Sequence, residues 1–210
     1  MKLTVHTFLT LDGVMQGPGA TDEDESDGFA LGGWMVPLAD AAMDRIVADW
    51  FEPADEILLG RSTYDMMQAY WSEVTDPDNK VATALNGLPK HVVSTTLTEP
   101  TWPDTSVISG DVIDAVAALK AKPGRELQVH GSWRLARTLH DAGLVDEYRL
   151  LVFPVVVGQG KRLFDEDAAP SSYQLVHSEI LSTGAIHQVL RPRALDLGDF
   201  VVRGGKHAVA

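Results

Sequence analysis

Cysteine is absent from this 210-residue chain. No disulfide framework and no thiolate centre can therefore enter its chemistry, and the reducing cytosol is the expected location. Positive charge is also scarce: 17 Lys and Arg stand against 30 Asp and Glu, a formal net charge of −13. A field of that sign repels nucleic acid and anionic lipid surfaces, so neither is expected as a partner. No apolar run approaches the ~18 residues that span a bilayer. Met1-Lys2-Leu3-Thr4-Val5-His6 alternates like a strand where a secretory leader would carry an apolar core. Several signatures are missing as well. There is no Walker A sequence, and the seven histidines show no HExxH pattern, so no metal site is expected. Gly158-Gln159-Gly160-Lys161-Arg162-Leu163 carries only the first two glycines of a Rossmann fingerprint. Asp22, Asp24 and Ser26 start like a calcium loop, but Asp27 stands where glycine is required and Gly33 where the bidentate glutamate belongs.

The patterning that is present alternates strand and helix. Residues 3–9 read as a strand and 10–36 as a long, acid- and glycine-rich loop of the kind that carries function. Met43, Ile46, Val47, Trp50 and Phe51 follow the spacing of an amphipathic helix, with Pro37 near its start and Pro53 as its stop. Strands are predicted at 57–60, 91–94, 107–109 and 127–130. Helices are predicted from 61 through Tyr70, near 80–86, after Asp111 as cap, and from 133 to a close at Gly143. The run 148–157 is nearly all apolar, as a strand covered on both faces would be. An antiparallel hairpin is expected from 174–180 and 185–190 about Ser182-Thr183-Gly184. This order indicates a mixed, mostly parallel α/β sheet in one domain over residues 1–192, with 193–210 as a tail.

Two junctions carry the chemistry. Glu56-Ile57-Leu58-Leu59-Gly60-Arg61-Ser62-Thr63-Tyr64 and Leu127-Gln128-Val129-His130-Gly131-Ser132-Trp133 each take a strand through glycine directly into a helix. Such a turn leaves backbone N–H groups aimed at one point, where the helix dipole favours an anion. Either turn alone is also explained by ordinary capping at Thr63 or by close packing at Gly131. Two in one domain suit a ligand with several phosphates. Ser94-Thr95-Thr96, just after a strand, offers hydroxyls for a ribose or its phosphate. Two carboxylates on the first helix complete the candidates: Asp40 falls within the apolar stripe and Asp44 at its border. Asp40 also suits first-turn dipole stabilisation, and Asp44 a solvated rim. Trp34 and Trp50 suit either a cleft wall or the core.

Taken together, these pieces resemble the dihydrofolate reductase-like superfamily, and more closely its RibD C-terminal (bifunctional deaminase-reductase) family of stand-alone reductase domains. The resemblance covers residues 2–192. It is carried by Leu11-Asp12-Gly13-Val14-Met15, Leu58-Leu59-Gly60-Arg61-Ser62-Thr63-Tyr64, Val129-His130-Gly131-Ser132, Leu144-Val145-Asp146-Glu147-Tyr148-Arg149-Leu150 and the segment from Phe153 to Phe164. It implies a three-layer fold with helices on both faces of the sheet, an NADPH cofactor and a homodimer, for which 148–157 is a candidate interface strand. By position it implies cofactor contacts from Met15, Gly60, Arg61, Ser62, Thr63, Ser94, Thr95, Gly131, Ser132 and Trp133. Asp44 falls where the acidic pterin-binding residue lies on the first helix of dihydrofolate reductases, and Asp40 is a second candidate to orient the substrate or relay a proton. The implied activity is hydride transfer to a small heterocyclic, ribosylaminopyrimidine- or pteridine-like substrate. A nucleotide- or pterin-binding module without turnover, or a true dihydrofolate reductase, are the alternatives. Residues 16–36 and the segment Gly158–Phe164 depart from the dihydrofolate reductase pattern, and no deaminase zinc motif, HxE together with PCxxC, is expected.

Overall fold

The computed structural model describes residues 1–209. Chain order is β1 (Lys2–Thr10), α1 (Ala41–Phe51), β2 (Ala54–Gly60), α2 (Arg61–Trp71), α3 (Lys80–Gly87), β3 (Lys90–Val93), β4 (Thr105–Ile108), α4 (Val112–Lys120), β5 (Glu126–His130), α5 (Trp133–Asp141), β6 (Glu147–Phe153), β7 (Ser172–Ile180), β8 (Ile186–Arg193), β9 (Phe200–Arg203) and β10 (Lys206–Val209). Eight strands form one sheet in the order β4-β3-β2-β5-β1-β6-β8-β7. From β4 to β6 all neighbours run parallel, while β8 and β7 are antiparallel additions. In the segment read as a tail, β9 and β10 pair only with each other. Among the described residues no helix is long and apolar enough to cross a membrane.

Strand alternation divides the core into two layers. Leu3 and Val5 of β1, Leu58 of β2 and Leu150 of β6 point to one face, where Val116 and Leu119 of α4 and Leu135 and Leu139 of α5 cover them. Ile57 and Leu59 of β2 and Leu151 and Phe153 of β6 point to the other face. There they meet Met43, Ile46, Trp50 and Phe51 of α1, Tyr64 of α2 and Leu85 of α3. Period two in the strands and period 3.6 in the helices thus meet at the same interfaces.

Helix ends follow local chemistry. α5 closes as the sequence predicts: Gly143 adopts φ +65°, its N–H donates to His140 O (2.9 Å), and the Leu144 N–H donates to Leu139 O (2.9 Å). That pairing is a Schellman closure. Pro37, expected near the start of α1, instead lies in a separate 3₁₀ turn at Val36–Leu38. α1 begins at Ala41 because Asp40 is extended and its carboxylate accepts the Met43 N–H. The apolar run 148–157 stops pairing at Phe153, since Pro154 has no N–H to give to a ladder. β6 lies between β1 and β8, so both of its hydrogen-bonding edges are used within the subunit.

Candidate functional site

A cleft of about 1790 Å³ opens beyond the C-terminal ends of the parallel strands. This is the end of an open α/β sheet where ligands characteristically sit. Its wall includes Met15 after β1, Gly60, Arg61, Ser62 and Thr63 at the β2–α2 junction, and Ser94 and Thr95 after β3. Gly131, Ser132 and Trp133 at the β5–α5 junction and Asp44 on α1 complete the set. Of the two carboxylate candidates, Asp40 is the one that the fold does not bring to this cleft. It is occupied as the α1 cap and accepts a second hydrogen bond from Ser182 Oγ (2.7 Å). These bonds, with Ser182 first, lower its pKa.

The two glycine junctions are built as one unit. Gly131 (φ +59°) and Ser132 (φ +60°) are successive left-handed residues, a conformation costly for serine. The strain turns the chain sharply so that α5 starts at the strand end. Ser132 Oγ accepts the Gly60 N–H (2.9 Å), tying one junction to the other. A Cβ on Gly131 would come within 3.5 Å of Thr63 Cγ2 in the first turn of α2. Neither α2 nor α5 has a side-chain cap, whereas Asp40, Asn79 and Asp111 cap α1, α3 and α4. Thr63 is therefore no cap; the cap position of α2 is Gly60, which has no side chain to offer. The orphan N–H groups and dipole of both helices face the cleft.

Charge around these helix ends is partly neutralised. Arg61 donates from Nε to both Asp65 oxygens (2.9 and 2.7 Å). Arg134, which the sequence reading did not select, also lines the cleft, and its guanidinium lies 5.2 Å from the Trp133 ring centroid. It has no carboxylate partner among the described residues. The opposite end of the cleft is framed by the 10–36 loop. Gln16 is buried, accepts the Lys161 N–H (3.1 Å) and donates to the carbonyls of Asp24 and Ser26. Trp34 Nε1 holds the Gln16 carbonyl (2.8 Å), so Trp34 is a buried brace and not a cleft wall. Asp12 anchors the same loop by accepting Thr10 Oγ1 (2.6 Å) and Gly158 N (2.8 Å). Partial desolvation opposes its ionisation, but these hydrogen bonds outweigh it and lower its pKa.

Beneath the α1 side of the cleft lies a polar floor that sequence reasoning missed. His6 and His130 are buried, stack at 4.7 Å and line the cleft. His130 also stacks flat on Phe51 (4.3 Å), and Trp50 meets His6 edge-on (5.2 Å). His130 Nε2 contacts Gln128 Oε1 (3.0 Å), and Gln128 Nε2 donates to Glu126 (2.7 Å) and to the Trp50 carbonyl (2.6 Å). Arg149 then joins Glu126 (2.6 Å) to Glu147 (2.9 Å). Burial, reinforced by Arg149, holds the His130 pKa down at about 3; His6 is lowered by burial and then by its neighbour His130. Burial thus favours the uncharged form of both rings. The signal was present: Thr4 and His6, then Glu126, Gln128 and His130, recur with period two between apolar neighbours. Asp44, by contrast, is exposed at the cleft rim. Its carboxylate has no hydrogen-bond or ion-pair partner among the described residues.

The sheet order, the helices on both faces and the antiparallel edge define a dihydrofolate reductase-like α/β fold. Within that class the chain belongs to the RibD C-terminal domain family, whose model matches residues 1–187. Membership gives it a reductase-like role at the level of class. Two curated relatives, both named as uncharacterized proteins of Bacillus subtilis (strain 168), are similar. YyaP is 29% identical over 190 residues, covering 90% of this chain and 93% of its own. YwjB is 25% identical over 169 residues, covering 79% and 83%. Among solved structures, a candidate riboflavin biosynthesis protein from Shewanella sp. PV-4 aligns with TM-score 0.66 at 22% identity, over 92% of this chain and 100% of that one. A pyrimidine reductase-like protein from Corynebacterium diphtheriae aligns with TM-score 0.58 at 13% identity, over 92% of each. At these identities the two structures support the fold.

Proposed function

We propose that the protein is an NADPH-dependent reductase of a small heterocyclic substrate of the ribosylaminopyrimidine or pteridine type. The observation that carries this reading is the pair of uncapped helix N-termini, α2 and α5, joined by the Ser132–Gly60 hydrogen bond and opening on one cleft. Their free N–H groups and dipoles fit a pyrophosphate. Gly60 and Gly131 keep the approach clear of side chains, and Arg134 supplies positive charge, with Arg61 beside it partly neutralised by Asp65. Ser94 and Thr95 stand farther along, at the end of β3, where an adenosine ribose would lie. Met15 and the adjoining loop would cover the nicotinamide.

When bound, the reduced nicotinamide supplies a hydride for a C=N or C=O carbon. The chain's own part is alignment and exclusion of water. Trp50, Phe8 and Met43 line an apolar stretch, and the neutral His6–His130 pair adds a polar floor without charge. Asp44, exposed at the rim and free of internal partners, offers its carboxylate to orient the substrate through hydrogen bonds. Asp40 has no part in this reading, because capping and Ser182 occupy it. With this reading go a cytoplasmic location and a homodimer, whose seam is not an edge of β6, since both edges of that strand are paired within the subunit.

The test is NADPH oxidation, followed by absorbance, with pteridines, ribosylaminopyrimidines and quinoid compounds. The reading expects consumption with at least one class. Tight NADPH binding with no consumption across the panel would favour a binding module, and methotrexate-sensitive turnover of dihydrofolate would favour a true dihydrofolate reductase.

A further inference from the structure

The histidines look scattered along the chain, yet the antiparallel edge of the sheet gathers two of them with a glutamate. β7 carries His177 and Glu179 two residues apart, on one face of the strand. Glu179 is the register partner of His187 on β8, and His177 lies on the diagonal from it. One ligand atom from each of the three lies within 4.8 Å of the others. The two imidazoles meet with centroids 5.6 Å apart. None of the three lines the cleft.

His187 supplies a second, independent observation. It is 93% buried, its Nε2 accepts the Trp50 indole N–H at 3.2 Å, and its Nδ1 is buried with no hydrogen-bond partner. A buried imidazole with one nitrogen engaged and the other unmatched is short of one partner. Across the hairpin from it stand an exposed imidazole and a carboxylate. Arg45 binds Oε1 of Glu179, which leaves the second oxygen for another partner.

We propose that His177, Glu179 and His187 form a binding site for a divalent transition-metal cation of the zinc type, on the β7–β8 hairpin and separate from the cleft. Two imidazoles and a carboxylate are the donors such an ion takes, with water completing a four-coordinate shell. Hard cations such as magnesium and calcium call for a shell of oxygen donors, whereas two of these three donors are imidazole nitrogens. Ligation through Nδ1 needs the lone pair of that nitrogen, so the ring proton moves to Nε2 and the long Trp50 contact is exchanged for the metal bond. Trp50 therefore reports on occupancy. The bound ion would clasp the exposed edge strand to its neighbour. The H-x-E spacing at His177-Ser178-Glu179 was legible in the sequence, but its third member lies on the next strand.

The test uses the full chain, free of affinity tags and stripped with chelator, titrated separately with Zn²⁺ and Co²⁺. Expected are one ion per chain, visible absorption bands typical of Co²⁺ in a nitrogen–oxygen site, and a change in tryptophan fluorescence. H177A and E179Q change the edge strand, not the core, and each should weaken uptake by about tenfold or more. Neither should alter NADPH binding, so failure here is separable from failure of the cofactor reading. No saturable uptake of either ion, or uptake unchanged in both variants, would overturn the site.

Discussion

The five helices divide into two groups by how they begin. α1, α3 and α4 start on Asp40, Asn79 and Asp111, each accepting the backbone N–H three residues on. α2 and α5 start on Gly60 and on a left-handed Ser132, with no side-chain acceptor. A cap supplies about 1 kcal/mol of stability, and its absence leaves donors that must find another partner. The capped starts include none of the proposed cofactor contacts. The uncapped ones face the cleft and are hydrogen-bonded to each other. Where the chain forgoes a cap, the helix N–H groups are left facing the cleft.

The comparison breaks most severely at Gly131. Asp in place of Gly131 sets a carboxylate against the proposed pyrophosphate and imposes left-handed strain. NADPH affinity should fall about 100-fold, measured by calorimetry, with thermal unfolding confirming that the variant folds. An unchanged affinity would separate the α5 start from cofactor binding. At the other end of the cleft, D44N should lower kcat by about 100-fold and leave NADPH affinity intact. Unchanged turnover would return Asp44 to the solvated rim.

A third prediction concerns the polar floor. The folded-state pKa of His130 (about 3) lies below the unfolded value near 6.5, and that of His6 is lowered as well, with burial the first cause in both. The unfolded chain therefore binds more protons below pH 6.5. Stability is full above that pH and is lost as pH falls toward 3, at a slope approaching about 1.4 kcal/mol per pH unit for each ring. Urea denaturation between pH 6.5 and 5 reads this slope before most carboxylates titrate. H130Q should remove one ring's share, and an unaltered slope would contradict neutral burial. The smallest effects set cap against cleft directly. D111A should cost about 1 kcal/mol of stability and leave NADPH binding alone. S132A should cost a similar amount and also weaken NADPH about tenfold, because it unties α5 from α2.

Much of this was legible in the sequence, for identifiable reasons. Gly143 closed α5 and Asp111 opened α4 because caps are local chemistry. Strand–glycine–helix junctions marked Gly60 and Gly131 for the same reason. What stayed hidden was the outcome of long-range competition. Thr63 reads as a cap until Ser132 is seen bridging to Gly60 from 72 positions away. A helical projection puts Asp40 within the apolar stripe and Asp44 at its border, but it cannot show Ser182 arriving from the far hairpin to engage Asp40. Arg61 reads as the phosphate cation, yet Asp65 occupies it and Arg134 is left free. The buried histidines were masked by alternation that resembles an ordinary half-exposed strand.

The central claim is that two bare helix starts hold one dinucleotide, and titration of the wild-type chain with NADPH tests it most directly. Followed by calorimetry or nicotinamide fluorescence, it should show saturable binding of one NADPH per chain below about 1 mM. No uptake in that range would contradict the account.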